Sequence, residues 1–378
     1  MPGSMVGMPL GRRSKRSPEA VTTAPHLPVP LGRPELPRTL VGRQLRIAED
    51  CIAYGPAVAA INYFTSSPTL IDPEFVWRFF TKMQPAVIQF FIDHYPVSPI
   101  RRRIIKRMIK QVHSRGIEYH YDLSNGFYSL FLDRRFMFYS CADFRLPDDT
   151  LEQAQLNKAN HLLSLIAPQP GEKILELGCG WGSMLHHIHA TTGDKEGLFG
   201  YTLSREQKSY VEETFGFKVL LDDFTTADLG ETCYDKIYSI GAMEHVRPDE
   251  ILSLLRKVHR AVKPGGRLVQ HFFSLNGNDA MPTSMVGSQL FFPGSLLSLH
   301  SRHLATAAEA GFRLSHSSEH DYRPTLRAWF DRLAAAKNEA ANLVGVQVTN
   351  KYLACFAASW AFFNLNKATL HRLVLYKD

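Results

Sequence analysis

Short apolar segments alternate with amphipathic ones over the C-terminal half of the chain. Apolar runs such as KILEL (173–177) are typical of strands that are buried on both faces of a parallel sheet. Segments with helical periodicity separate these runs, at 183–192, 205–215 and 248–262, and two further helical runs lie between 317 and 370. The pattern predicts strands at 173–177, 197–202, 217–222, 236–241, 266–273, 312–317 and 370–377. We therefore expect an α/β fold with a doubly wound, mainly parallel seven-stranded sheet.

Composition divides the chain into three parts. Residues 1–38 hold eight prolines and almost no aromatic residues, which indicates a flexible basic tail. Residues 39–115 are apolar and aromatic, with a helical periodicity that prolines interrupt, and predict a helical N-terminal module. Residues 116–378 form the α/β domain. An irregular stretch near 274–300 interrupts its alternation, and a lid or substrate loop is expected there.

Cysteine spacing and net charge limit the functional classes. The five cysteines are scattered, with no CxxC pair and no Cys/His cluster at zinc spacing. Neither a disulfide framework nor a metal site is predicted, and a reducing cytoplasm fits best. No apolar run reaches the roughly 18 to 20 residues that span a bilayer, and the N-terminus lacks the apolar core of a secretory signal. The net charge of +7 favours an anionic partner without identifying it.

Three glycines, Gly178, Gly180 and Gly182, directly follow the strand at 173–177 and open a helix. Glycine lets a ligand approach the backbone closely, and the helix N-terminus favours a negatively charged group. A dinucleotide site needs the spacing GxGxxG and an acid roughly 20 residues further on. This loop reads GxGxG and has no acid there, and ELGCGWG (176–182) resembles motif I of class I methyltransferases. We expect S-adenosylmethionine as the ligand, and not a nicotinamide dinucleotide.

Further motifs occur in a characteristic order: YHYDLSNGFYSLFLD, MFYSCADF, TLEQAQLNK, ILELGCGWGS, GYTLSREQ, YSIGAMEHV, FFPGSLLS and DYRPTLRAW. Together they resemble the cyclopropane-fatty-acyl-phospholipid synthase family, which includes the mycolic acid cyclopropane synthases, over residues 116–378. That family transfers a methyl group from S-adenosylmethionine to the cis double bond of an acyl chain, and a bound bicarbonate accepts a proton as the ring closes. The resemblance implies a Rossmann-like class I methyltransferase fold and this activity.

The resemblance also implies two sets of site residues. The bicarbonate site would comprise Cys141, Glu244, His271 and Tyr322. Cys141 is expected to form a pocket wall and not a covalent nucleophile, because its motif contains no partner base. The contacts to S-adenosylmethionine would come from Tyr139, Ser140, Gly178, Gly180, Thr202, Gln207 and Asp223. Asp222 is equally well placed for the last of these contacts.

Other histidines carry weaker signals. His186, His187 and His189 resemble a metal cluster in spacing, but no carboxylate accompanies them, and packed or surface positions are the better interpretation. His245 either assists catalysis or only hydrogen-bonds its turn. No metal is expected.

A basic amphipathic segment, PIRRRIIKRMIKQVHSRG (99–116), precedes the α/β domain. Its isoleucines share one helical face beside many Arg and Lys residues, which suits an anionic membrane surface. The alternative is that the apolar stripe packs on the catalytic domain. The first interpretation predicts membrane phospholipid as the partner and substrate, with a cytoplasmic enzyme lying peripherally on the inner face of the membrane. Nucleic acid is not expected, because no nucleic-acid module is recognised. A homodimer is compatible with the sequence.

Two other functions compete with this interpretation. The same motif set occurs in a coclaurine-type N-methyltransferase branch, which would act on a small soluble amine. A non-enzymatic binding role is the third class, and the intact glycine loop with Glu244 and His271 argues against it. Pro324, in YRPTL, departs from the family pattern. The product is therefore expected to be a cyclopropane ring, or a methyl or methylene branch in its place.

Overall fold

The computed structural model describes residues 39–94, 124–276 and 297–378. The strands are β1 (Ile174–Leu177), β2 (Leu198–Thr202), β3 (Lys218–Leu221), β4 (Tyr234–Ile240), β5 (Val262–Leu275), β6 (Arg313–His320) and β7 (Ala368–Tyr376). The helices are α1 (Leu40–Ser66), α2 (Pro73–Thr81), α3 (Pro85–His94), α4 (Asn125–Ser129), α5 (Leu151–Ile166), α6 (Ser183–Thr192), α7 (Arg205–Thr214), α8 (Ile251–Ala261), α9 (His300–Glu309), α10 (Arg323–Ala335), α11 (Lys337–Val344) and α12 (Val346–Asn364). The predicted tail at 1–38, the basic segment at 99–116 and most of the predicted loop at 274–300 lie outside the described residues.

The seven strands form one sheet in the order β3–β2–β1–β4–β5–β7–β6. Strands β1 to β5 pair in parallel, and β7 runs antiparallel to β5 and β6. The predicted doubly wound, mainly parallel seven-stranded sheet is confirmed. The strand order reverses between β1 and β4, and open α/β sheets bind ligands at the carboxyl ends of the strands at such a point.

The element boundaries follow the apolar pattern with two differences. Strand β5 runs from Val262 to Leu275 and so extends beyond the predicted 266–273 at both ends. The first residues of the irregular stretch, which the sequence predicts from residue 274, therefore still belong to the sheet. The C-terminal region contains three helices where the periodicity predicts two helical runs. Gly345, with a φ of +85°, separates α11 from α12. A left-handed backbone conformation of this kind is accessible mainly to glycine, and it ends a helix.

Helices α1 and α2 pack against the C-terminal helix α12, and α3 packs against α1. The Trp77 ring lies 4.8 Å from the Phe330 ring and 5.5 Å from the Trp360 ring, between centroids. The Asn350 side chain accepts a hydrogen bond from the Ile71 amide and donates one to the Thr69 carbonyl. These contacts extend the aromatic core that also contains Cys141 and Tyr322. None of the helices in the described part of the chain has the length and apolar character needed to cross a bilayer.

Candidate active site

A pocket lies at the carboxyl edge of the sheet, where the strand order reverses. Its walls come from the loops that follow β1, β2, β3 and β4 and from residues 136–140. All seven residues expected to contact S-adenosylmethionine line it: Tyr139, Ser140, Gly178, Gly180, Thr202, Gln207 and Asp223. Of the two candidate aspartates, Asp223 lines the pocket and Asp222 is exposed. His245 lines the same pocket.

The three loop glycines have different physical roles. All have positive φ, which favours glycine. A Cβ atom on Gly178 would lie 2.7 Å from the Ala242 Cβ, and one on Gly182 would lie 2.8 Å from a Val211 methyl carbon. A Cβ atom on Gly180 would meet no atom within 4 Å. Gly178 and Gly182 are therefore required by packing, whereas Gly180 keeps space open in the pocket.

Local hydrogen bonds fix the polar side chains that the segments after β2 and β3 contribute to the pocket. The Thr202 hydroxyl donates to the Gln207 Oε1 at 2.8 Å. The Ser204 side chain caps α7 and accepts from the Gln207 amide at 3.3 Å, as expected of a helix cap. The Asp223 Oδ1 accepts from the Thr225 amide and hydroxyl at 2.8 and 2.6 Å. These hydrogen bonds restrict the side chains to one arrangement.

Two buried ionisable residues next to the pocket have no role in the sequence interpretation. Glu176 lines the pocket, and its Oε2 accepts from the Tyr238 hydroxyl at 2.9 Å. Burial raises the pKa of the Glu176 carboxyl to about 8. Lys158 is fully buried behind the wall and donates to the Ser140 Oγ at 2.8 Å. Burial lowers the pKa of the Lys158 amine to about 7. The sequence marks these two residues only as charged positions within ELGCGWG and TLEQAQLNK.

Gly241 connects the pocket with the residues expected to hold bicarbonate. It lines the pocket, and its amide donates to the His271 carbonyl at 2.8 Å. A Cβ atom on Gly241 would lie 3.2 Å from the Ser140 Cβ and 3.8 Å from the Glu244 Oε1. The Glu244 carboxyl and the His271 backbone thus lie on two sides of one small residue in the pocket wall.

Cys141, which follows Ser140, contacts the backbone directly before Tyr322. The Cys141 thiol donates to the Asp321 carbonyl at 3.5 Å and lies 4.0 Å from the Thr325 hydroxyl. Both Cys141 and Tyr322 belong to the same buried aromatic core. Burial raises the pKa of the Cys141 thiol far above its usual value, so the sulfur stays protonated. A neutral, packed thiol agrees with a pocket wall and not with a nucleophile.

Glu244 and His271 each present a buried polar atom that has no hydrogen-bond partner among the described residues. For Glu244 this atom is Oε2, and for His271 it is Nε2. Burial raises the pKa of the Glu244 carboxyl to about 8, so the group is neutral at pH 7 and can donate. The His271 Nδ1 accepts from the Arg372 Nε at 3.0 Å, which leaves the proton on Nε2. Two neutral donors therefore lie beside the pocket.

The three histidines of α6 have separate contacts. His186 is exposed and stacks on Phe215, and His187 contacts the Asn160 side chain. His189 contacts the Asp194 carbonyl. The prediction of packed or surface histidines is confirmed.

Comparison with known protein sequences gives a match over most of the chain. A family model described as mycolic acid cyclopropane synthetase matches residues 108–373. A "Probable fatty acid methyltransferase" of Pseudomonas putida is 32% identical over 299 residues, which cover 76% of this chain and 74% of that protein. The cyclopropane-fatty-acyl-phospholipid synthase of Escherichia coli K12 is 34% identical over 228 residues, which cover 59% of this chain and 57% of that enzyme.

Solved structures show the same fold. The mycolic acid cyclopropane synthase CmaA1, complexed with SAH and CTAB, is 26% identical with a TM-score of 0.63, over 71% of this chain and 99% of that one. Coclaurine N-methyltransferase, bound to N-methylheliamine and SAH, is 18% identical with a TM-score of 0.68, over 85% of this chain and 100% of that one. At that identity the second likeness concerns the fold alone. The chain belongs to the mycolic acid cyclopropane synthetase family and is an S-adenosylmethionine-dependent methyltransferase.

Proposed function

We propose that the enzyme methylates the cis double bond of an unsaturated acyl chain in a phospholipid and closes a cyclopropane ring. The alkene electrons form a bond to the methyl carbon as its bond to sulfur breaks, which leaves a carbocation at the second alkene carbon. Loss of a proton from the transferred methyl group lets its C–H electrons close the ring. Two residues next to the pocket residue Gly241 carry the proposal. Glu244 and His271 each have a buried polar atom without a hydrogen-bond partner among the described residues.

The pocket suits S-adenosylmethionine in shape and chemistry. When bound, this cofactor supplies an electrophilic methyl group. Gly180 leaves room for a ligand against the backbone. Thr202, Gln207 and Asp223 present fixed polar groups to the same pocket. Tyr139 and Ser140 lie on the side toward Cys141, and we assign them to the methionine end. Ser140 is held there by the Lys158 amine, which donates to its hydroxyl.

The donor pair beside the pocket suits a small anion such as bicarbonate. A neutral Glu244 and the His271 Nε2–H can both donate to an anion without adding a net charge to a buried site. Cys141 and Tyr322 would complete its surroundings from the aromatic core. When bound, bicarbonate supplies the base that takes the proton from the carbocation. The residues present therefore fit the anion.

An aromatic cluster of Tyr139, Phe273, Tyr322, Trp329 and Phe363 reaches the pocket at Tyr139 and includes Phe273, two residues after His271 on β5. The Trp329 ring lies 5.1 Å from the Tyr139 ring and 5.8 Å from the Tyr322 ring, and Phe363 lies 5.1 Å from Tyr322. Packed rings exclude the water that would quench a carbocation, and their faces attract positive charge. This surrounding supports alkene methylation more than amine methylation, because an amine acceptor forms no carbocation.

We expect the purified enzyme to methylate vesicles of an unsaturated phospholipid and to leave a small benzylic amine unmodified. The measurement is release of S-adenosylhomocysteine, with mass spectrometry of the recovered lipid or amine. Vesicles of the saturated phospholipid with the same headgroup are the control, because they present the same surface without a double bond. Methylation of the amine with none of the unsaturated lipid would replace this proposal with the N-methyltransferase function.

We further propose that the basic segment at 99–116 brings the enzyme to the cytoplasmic face of the membrane as a peripheral protein. Each Lys or Arg near an anionic surface contributes about 1 kcal/mol, and salt screens this attraction. Replacing Arg102, Lys106 and Lys110 together with glutamate should therefore lower vesicle binding and activity on anionic vesicles at low salt. Activity on detergent-dispersed lipid should persist. Equal activity of both proteins on vesicles would assign the segment to packing.

A further inference from the structure

Arg372 is a fully buried cation directly behind His271. It lies opposite His271 in the antiparallel pairing of β7 with β5, and its side chain is 0% exposed. Its Nε donates to the His271 Nδ1 at 3.0 Å. Its two terminal nitrogens donate to the two Asp143 carboxylate oxygens at 2.8 and 2.7 Å. The first of these nitrogens also lies 2.5 Å from the His161 Nδ1. Each of the three guanidinium nitrogens therefore contacts another side chain.

The chemistry of this arrangement fixes the proton on His271. A guanidinium has only donors, so the His271 Nδ1 must be the unprotonated acceptor and Nε2 must carry the hydrogen. The planar fork of arginine can reach a ring nitrogen and a carboxylate together, which the single ammonium group of lysine cannot reproduce. Asp143 holds the fork in place and lies two residues after Cys141. The network thus connects two parts of the proposed anion site.

Other ionisable groups face the same network. The His161 Nδ1 and the His320 Nδ1 lie 3.7 and 3.6 Å from the Asp143 carboxylate. Burial alone would raise the pKa of Asp143, but the Arg372 guanidinium and the neighbouring histidines hold it well below its usual range. Burial, with the Arg372 cation beside the ring, holds the pKa of His271 well below its usual value. Asp143 is therefore charged and His271 neutral at pH 7.

We propose that Arg372 and Asp143 are positioning residues, which lock His271 as an Nε2–H donor toward the bound anion and prevent it from acting as a base. This inference rests on the proposed function, since it assigns His271 to the anion site. One consequence is that the proton released during ring closure does not pass to His271. A second is that the arginine cannot be replaced by lysine without loss of turnover.

The tautomer is measured directly by nitrogen-15 NMR on protein labelled at histidine, with the His271→Asn spectrum used to assign the signal. We expect the protonated ring nitrogen of His271 to be Nε2, which is the nitrogen that couples to both carbon-bound ring protons. A His271 signal protonated at Nδ1, or an even mixture of tautomers, would overturn the proposal. This readout needs no methyl acceptor, so it stands apart from any failure of the proposed lipid activity.

Turnover gives the second test. Arg372→Lys, and Arg372→Gln combined with Asp143→Asn so that no buried charge is left alone, should lower kcat about 10- to 100-fold, as loss of an orienting partner does elsewhere. The affinity for S-adenosylmethionine should not change, and the double variant should show both His271 tautomers. Wild-type kcat in either folded variant would refute the proposal.

A matched control separates positioning from general stability. Lys236 and Glu172 form another ion pair, with side chains 7% and 22% exposed, on strand β4 and the chain just before β1. Lys236→Gln combined with Glu172→Gln should lower the melting temperature to a similar extent while kcat stays at the wild-type value. If this control lost kcat as the Arg372 variants do, the effect of Arg372 would be structural and the proposal would be wrong.

Discussion

Glu244→Leu is expected to slow methyl transfer by at least about 100-fold, which is the loss seen when one donor to a reacting anion is removed. Leucine fills much of the buried volume but cannot donate to an anion. Affinity for S-adenosylmethionine should persist, because Glu244 is not among the residues that line the cofactor pocket. Turnover is measured as S-adenosylhomocysteine release, and cofactor binding by calorimetry. Bicarbonate added to a depleted sample should raise the rate of the wild type and not that of the variant.

The Glu244→Gln variant and the pH profile sharpen this test. The Glu244 carboxyl, with a pKa of about 8, donates in its protonated form, so turnover should be present below pH 8 and decline as the pH rises through that value. Above it, a carboxylate would repel the anion. Glutamine keeps a neutral donor that does not titrate, so this variant should lose less activity than Glu244→Leu and should lack the decline. A Glu244→Leu enzyme with wild-type turnover would contradict the assignment.

Gly180→Val is expected to weaken S-adenosylmethionine binding on the order of 100-fold. The valine side chain would compete with the cofactor for the same space, and such overpacking costs about 1 to 3 kcal/mol. The added carbons would enter the open space that Gly180 leaves in the pocket, where the cofactor is proposed to lie. The chain should still fold, because no protein atom lies within 4 Å of the new Cβ position. Calorimetric titration with S-adenosylmethionine and with NAD measures the effect.

Gly171→Val is the matched control for backbone strain. Gly171 has a φ of +81°, its Cβ position is also empty within 4 Å, and it is exposed before β1. Valine there should lower stability to a similar extent and leave cofactor binding unchanged. Equal losses of binding in both variants would attribute the Gly180 effect to strain. Tight NAD binding by the wild type without S-adenosylmethionine binding would contradict the cofactor assignment itself.

The strands and the cofactor pocket were largely predictable from the sequence. Buried parallel strands are continuous apolar runs, and each predicted strand overlaps an observed one. The motif residues of the pocket lie in loops that follow consecutive parallel strands, so the fold brings them to one edge of the sheet. The spacing of residues along the chain was therefore enough to predict most of the strands and the residues of the cofactor pocket.

Features that depend on long-range neighbours could not be predicted. The separate roles of Gly178 and Gly180 follow from the distance to Ala242, which comes from a different loop. The contact between His271 and Arg372 joins residues 101 positions apart and depends on the register of β7 against β5. A one-residue shift of that register would turn Arg372 to the other face of the sheet. Periodicity identifies a strand but not its partner.

The fate of the transferred methyl hydrogens tests the central claim most directly. The enzyme is incubated with unsaturated phospholipid and S-adenosylmethionine that carries a trideuterated methyl group, and the acyl chains are analysed by mass spectrometry. Ring closure after loss of one deuteron from the carbocation predicts a cyclopropane acyl chain that keeps two of the three deuterons. A methylated product that keeps all three deuterons, whether a branched acyl chain or an amine, would contradict cyclopropane formation.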